Sequence, residues 1–181
     1  EQPIVLELGC GKGEYTVGLA EKFPDKNFIG VDVKGARMWR GARTATDNMM
    51  KNVGFLRTQI ELIDCCFSKG EVSEIWITFP DPQIKYRRRK KRLTSPSMLD
   101  KYRNILSDDA LLHLKTDSQF LHGYTLGILE GIDCKILDSS YDIDRQNPND
   151  ELLKIRTNYE SIFREKGLPI TYLKFQLNKN D

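Results

Sequence analysis

The residues whose spacing carries the most chemistry lie near the start of the chain. Leu6-Glu7-Leu8-Gly9-Cys10-Gly11-Lys12-Gly13-Glu14 ends an apolar run and opens a helical pattern. Glycines at alternate positions permit a tight turn and leave bare backbone beside a helix N-terminus, where a ligand can press close. A dinucleotide-binding turn is one reading, because Asp32 supplies the acid that ends the second strand-like run. That motif requires G-x-G-x-x-G, however, and Glu14 stands where its third glycine would fall. Glu7, two residues before the first glycine, would face a pyrophosphate unfavourably but suits the cationic, amino-acid-bearing end of S-adenosylmethionine. Asp32 would then accept hydrogen bonds from both ribose hydroxyls. S-adenosylmethionine is therefore the favoured cofactor, with Glu7, Gly9, Gly11, Gly13 and Asp32 as its contacts. A glycine turn that serves packing alone is the bland alternative.

A second constellation begins at Thr78-Phe79-Pro80-Asp81-Pro82, where the fourth strand-like run ends. Ligands of open α/β sheets bind outside the carboxyl ends of the strands, and two prolines would stiffen the chain around the Asp81 carboxylate. An Asp-Pro turn without chemistry would read the same locally, but its neighbours argue otherwise. Lys85 to Arg92 reads Lys-Tyr-Arg-Arg-Arg-Lys-Lys-Arg, seven basic residues in eight. With no acidic partner nearby in sequence these charges repel one another unless phosphates neutralise them. A nucleic acid is the expected partner, its backbone held by Arg87, Arg88, Arg89, Lys90, Lys91 and Arg92. A solvated charged loop is the alternative. Such contacts position a substrate without reading a base. Asp117 closes the fifth strand-like run, either as a second carboxylate at the same edge or as a helix N-cap. Thr157 and Glu160 have capping-box spacing with Gly167 as the helix stop, and local structure alone accounts for them.

These groups can meet only if several strands end together, and the pattern along the chain supplies that. Strand-like runs at Ile4–Leu8, Phe28–Val33, Val53–Gln59, Glu74–Phe79, Leu111–Lys115, Cys134–Ser139 and Thr171–Leu177 alternate with helical patterns. The helices are expected near Glu14–Lys22, Ala36–Met50, Gln119–Leu129 and Tyr159–Lys166, with another starting at Pro96 behind Ser95 as N-cap. Seven strands separated by helices favour a mostly parallel sheet covered on both faces. A short amphipathic stretch lies near Ile60–Phe67, and the acidic stretch around Arg145 to Asp150 reads as a loop.

Composition narrows the class. The chain has 181 residues, 39% hydrophobic and 30% charged, which is ordinary globular usage, so one domain over residues 1–181 is expected. Its first residues are already strand-like, and an N-terminal segment is expected to be missing. The apolar runs fall far short of the roughly 20 residues of a membrane span. Cys10, Cys65, Cys66 and Cys134 form no C-x-x-C pair, so neither a disulfide framework nor a metal site is expected, and a cytoplasmic location fits. Outside the block at 85–92 the chain holds 21 basic against 26 acidic side chains, a balance of −5. The positive field is therefore expected at one place on the surface.

Taken together, these residues resemble the bacterial tRNA (guanine-N7)-methyltransferases, the TrmB family. The matching stretches are Leu6 to Glu14, Phe28 to Asp32, Phe79 to Pro82 with Lys85, Arg92 to Pro96, Thr116-Asp117, and Thr157 to Glu160 through Gly167. The resemblance implies a Rossmann-like class I methyltransferase fold and transfer of a methyl group from S-adenosylmethionine to N7 of a variable-loop guanine of tRNA, at position 46. It implies further cofactor contacts at Gln59 and Ile60, Asp81 as the active-site acid that also borders the cofactor, and substrate contacts by Lys85, Asp117, Thr157 and Glu160. The chain departs from the family's usual residues at Gln83, where Trp is common, at Asp32, where Glu is common, and at Gln59, where Asp or Asn is common. Guanine N7 carries a lone pair and no proton, so the expected chemistry is alignment plus a fixed carboxylate facing the developing cation. A noncatalytic RNA-binding module and a small-molecule methyltransferase are the alternatives, and the chain is expected to work as a monomer or homodimer.

Overall fold

The computed structural model describes residues 2–178. Seven strands, β1 (Ile4–Leu8), β2 (Asn27–Asp32), β3 (Val53–Arg57), β4 (Val72–Thr78), β5 (Leu106–Thr116), β6 (Cys134–Ser140) and β7 (Thr171–Leu177), form one sheet in the order β3-β2-β1-β4-β5-β7-β6. Only β7 runs antiparallel to its neighbours, inserted between β5 and β6. The helices are α1 (Glu14–Lys22), α2 (Gly35–Asp47), α3 (Pro96–Ile105), α4 (Gln119–Glu130), α5 (Ile143–Gln146) and α6 (Asn158–Glu165). From β1 the chain winds outward through β2 and β3, then returns to the other side of β1 at β4. That reversal leaves a crevice at the carboxyl ends of β1 and β4.

The central strands are buried on both faces, which is why they read as continuous apolar runs. In β4, Ile75 and Ile77 join a cluster with Leu6, Leu8, Leu112 and Leu114 under α3 and α4. Trp76, pointing the other way, packs with Val5, Tyr15 and Tyr172. Trp76 lies flat on His113 at 3.9 Å between ring centroids, and its indole N–H donates to Glu74 at 2.7 Å. Lys26 completes this buried polar layer, 3.0 Å from Glu74.

Several elements differ from the sequence expectation for identifiable reasons. β5 starts at Leu106 rather than Leu111, because Leu106 pairs with Val72 across an irregularity that the polar Asp108-Asp109 pair conceals. The acidic stretch contains the short α5, seeded by buried Ile143 and capped by Asp142, whose carboxylate accepts from the Asp144 N–H at 3.1 Å. α2 stops at Asp47, just before Met49 enters the left-handed region at φ 54°. The basic block forms a 3-10 turn over Tyr86–Lys91. All four cysteines are free, no cluster of metal-ligating residues occurs among the described residues, and no helix among them is long and apolar enough to cross a membrane.

Candidate active site

The carboxyl ends of β1, β2, β4 and β5 open into a cavity of about 640 Å³, within the usual range for a small-ligand site. Gly9, Gly11, Asp32 and Ile60 line one side, Asp81 and Asp117 the other, and Glu7 its floor. Thr157, Asn158 and Tyr159 reach it from the start of α6.

The glycine turn divides its labour. Gly9 and Gly11 hold φ of 80° and 55°, and a Cβ on either would meet nothing within 4 Å, so bare backbone faces the cavity. Gly13, at φ 73°, does not line the cavity. A Cβ there would lie 2.5 Å from the Phe55 ring and 3.3 Å from the Gly41 backbone, so this glycine lets α1 and α2 approach instead of touching a cofactor. Asp32 braces the turn: one oxygen accepts from the Gly11 N–H at 3.0 Å, the other from the Lys34 N–H at 2.8 Å. Each oxygen keeps a further lone pair for a ribose hydroxyl. Glu7 is nearly inaccessible, and its carboxylate accepts from the Thr16 N–H at 2.8 Å, the Thr16 hydroxyl and the Thr78 hydroxyl at 2.6 Å. Burial outweighs these three donors and lifts its pKa from 4.5 to about 7. A cation bound above it would restore the charge.

Across the cavity, the Pro80-Asp81-Pro82 segment is held by strain on both sides. Phe79 and Gln83 adopt φ of 48° and 46°, a region costly for residues with side chains. Phe79 is anchored by its N–H to the Lys115 carbonyl at 2.8 Å. Gln83 donates its N–H at 3.0 Å to the exposed Asp81 carboxylate, and Asp81 borders the cavity. Gln83, noted in the sequence as a departure, itself lines the cavity. Asp117, half-buried, is released from capping because Ser118 takes that task, accepting from the Leu121 N–H at 3.2 Å. Burial raises the Asp117 pKa from its ordinary value.

Thr157 is the N-cap of α6, accepting from the Glu160 N–H at 3.1 Å, and it lines the cavity. Glu160 does not. It is fully buried, and its carboxylate binds Lys115 at 2.7 Å and Arg164 at 2.9 Å, so the expected direct substrate contact is replaced by an internal one. Lys115 also donates to the carbonyls of Leu153 at 2.8 Å and Ile155 at 3.0 Å. This buried ammonium thereby straps residues 153–160 over the sheet edge and delivers Thr157 to the cavity. Glu14 adds a second strap, accepting from the Asn158 N–H at 2.7 Å. Neither strap was read from the sequence, since each joins residues far apart in the chain.

The basic segment also divides. Lys91 borders the cavity, while Lys85 and Arg87 to Lys90 are exposed away from it, with Arg89 over the Tyr86 ring at 4.2 Å. Arg92 is buried: its guanidinium donates to the Gln83 carbonyl at 3.1 Å and stacks over Tyr124 at 4.2 Å and Phe120 at 4.9 Å. It clamps the Asp81 turn and is not free for phosphate. Gln59 is exposed outside the cavity, which its neighbour Ile60 lines. Lys12, Lys34, Arg37, Leu93 and Phe163 line the cavity without having been singled out in the sequence.

S-adenosylmethionine fits this chemistry: open backbone at Gly9 and Gly11, lone pairs on Asp32, a buried acid at Glu7, and apolar Ile60 and Phe79 beside them. A family model described as "Putative methyltransferase" matches residues 1–173. A tRNA (guanine-N(7)-)-methyltransferase of Christiangramia forsetii is 59% identical over 98% of this chain and 80% of its own length. One from Bacteroides thetaiotaomicron is 51% identical over 98% of this chain and 69% of its own. Among solved structures, the 16S rRNA methyltransferase KamB superposes with a TM-score of 0.74 at 15% identity, covering 98% of this chain and 88% of that one, a likeness of fold. The chain belongs to the tRNA (guanine-N7)-methyltransferase family, TrmB, whose methyl donor is S-adenosylmethionine.

Proposed function

We propose that this chain methylates N7 of the variable-loop guanine at position 46 of tRNA, acting in the cytoplasm as one methyltransferase domain over residues 1–181. The observation that carries the reading is the convergence of Asp81 and Asp117 on the cavity bordered by Gly9, Gly11 and Asp32, with a basic segment at its rim. When bound, S-adenosylmethionine supplies an electrophilic methyl carbon and departs as a neutral thioether. The guanine N7 lone pair forms the new bond, so no residue of the chain has to remove a proton first. Positive charge moves onto the purine, and Asp81, pre-set by the flanking prolines and the Gln83 N–H, lies ready to stabilise it. Asp117 holds the N–H edge of the base, and Thr157 and Tyr159 cover it from α6. Glu7 and Asp32 keep the donor in register, which is where most of the rate advantage of such a transfer arises.

The test is incubation of the chain with unmodified tRNA and methyl-labelled S-adenosylmethionine, followed by digestion and identification of the labelled nucleoside. Labelled 7-methylguanosine from the variable loop is the expected result. Binding of both ligands without transfer would favour an RNA-binding module instead.

A further inference from the structure

A second basic surface lies on α2, which packs beside β2 and β3, two strands away in the sheet from β4, whose end leads into the segment at 85–92; it was not apparent from the local charge count. α2 buries Met38, Gly41 and Ala45 against the sheet. At about 100° per residue, Trp39, Arg40 and Arg43 then fall in one sector about 100° wide, centred on solvent. Trp39 is 61% exposed, an unusual placement for so large an apolar ring, and the Arg43 guanidinium sits 5.5 Å above it. Arg40 has no side-chain partner among the described residues, and the one ion pair of Arg43 among them is with the exposed Asp47 at 3.4 Å. Arg37, in the first turn of the same helix, and Lys34, its N-cap, line the cavity wall.

A solvated arginine face would need no exposed tryptophan. Arginines spaced for phosphates around a bare ring match what single-stranded nucleic acid requires: charge for the backbone and an aromatic platform for an unpaired base. Because the cavity is bordered by Lys34 and Arg37 at the start of α2 and by Lys91 of the basic segment, an RNA held by both surfaces spans the cavity that Asp81 lines. We infer that the solvent face of α2, with Arg40, Arg43 and Trp39, is a second RNA-docking surface that holds the tRNA strand on the far side of the target nucleotide and stacks one of its unpaired bases. This rests on the reading of tRNA as substrate.

The test uses the full chain with unmodified tRNA and four proteins: wild type, Arg40→Ala/Arg43→Ala, Trp39→Phe, and Lys69→Ala/Lys135→Ala. The last removes two exposed charges from the opposite, amino-terminal edge of the sheet. Binding is measured across a salt series, with methyl transfer measured separately. The α2 pair is expected to flatten the slope of log affinity against log salt by about 1.5, as loss of two phosphate contacts does, and to raise KM for tRNA several-fold. Its affinity for S-adenosylmethionine and its thermal midpoint should match wild type, and the Lys69/Lys135 control should bind tRNA as wild type does. Trp76 is fully buried, so quenching of fluorescence on adding tRNA reports Trp39 and should vanish in Trp39→Phe. Equal salt slopes for the α2 pair and the control, or no tRNA-dependent change in Trp39 emission, would overturn the inference. Absence of methyl transfer by the wild type refutes the proposed activity alone, because the docking surface is judged by binding.

Discussion

Replacing Glu7 by Gln separates what this carboxylate does for the fold from what it does for the cofactor. Burial raises its pKa from 4.5 to about 7, so keeping it charged in the empty protein costs about 3 kcal/mol, at roughly 1.4 kcal/mol per pKa unit. A carboxyl held above its unfolded value stabilises the protein fully below pH 4.5, and that contribution is lost as pH rises through 7. Gln is neutral throughout. Its oxygen can accept both bonds from Thr16, and its amide can donate to Thr78, whose hydroxyl turns to accept.

Glu7→Gln should therefore be more stable than wild type at pH 8, by up to about 3 kcal/mol, with the advantage vanishing near pH 4.5. Buried His113 and His122, both held below their ordinary pKa, pull the opposite way as pH rises, so the difference between the two proteins is the quantity to read. Urea unfolding from pH 4.5 to 8.5 measures it. The same variant should bind S-adenosylmethionine more weakly. Wild-type binding near pH 7 should release roughly half a proton as the ligand's cationic end restores the Glu7 charge, measurable by calorimetry in buffers of different ionisation enthalpy. Parallel stability curves for the two proteins, together with equal proton release, would refute the assignment.

Asp81→Asn should retain cofactor affinity and lower single-turnover methyl transfer by roughly 10²-fold, since it removes one pre-set charge facing the reacting base. Asp117 carries a raised pKa, so wild-type activity should climb with pH as it ionises, and Asp117→Asn should flatten that acid limb in a pH-rate profile. Arg92→Lys should lose stability by about 2 kcal/mol in urea, because an ammonium cannot fork to the Gln83 and Ile84 carbonyls while stacking on Tyr124. An unchanged midpoint in that variant, with a flatter salt slope for tRNA in the charge-removing Arg92→Gln, would return Arg92 to the phosphate-binding group. Lys115→Met leaves Glu160 buried beside Arg164 alone and should cost about 3 to 5 kcal/mol in urea unfolding.

Much of the fold was legible because the pattern repeats: the central strands β1 and β4 are apolar runs buried on both faces, and helical patterns separate the strands. The order of β6 and β7 was not, since an antiparallel insertion beside β5 leaves no local mark. At the site, Gly9, Gly11, Asp32, Asp81 and Asp117 all reach one cavity, because strand ends in a parallel sheet fall on one edge. Gly13 belongs to the same motif but serves a helix contact, which depends on Phe55 and Gly41 being there to crowd it. Arg92 and Glu160 sit among residues with surface-like roles, yet both are buried, each drawn in by partners that the local sequence does not show.

The sequence by itself determined which chemical groups stand at which strand ends, and hence the cofactor class and the sign of charge offered to the substrate. Only the tertiary structure decided which of those groups remain free to act. Lys115 and Glu160, 45 residues apart, neutralise each other in a dry interior, whereas Asp81 stays exposed at the cavity edge with only the Gln83 N–H of its own turn to satisfy. A side chain's availability depends on which lone pairs and protons its neighbours already occupy, and those neighbours are assigned by packing.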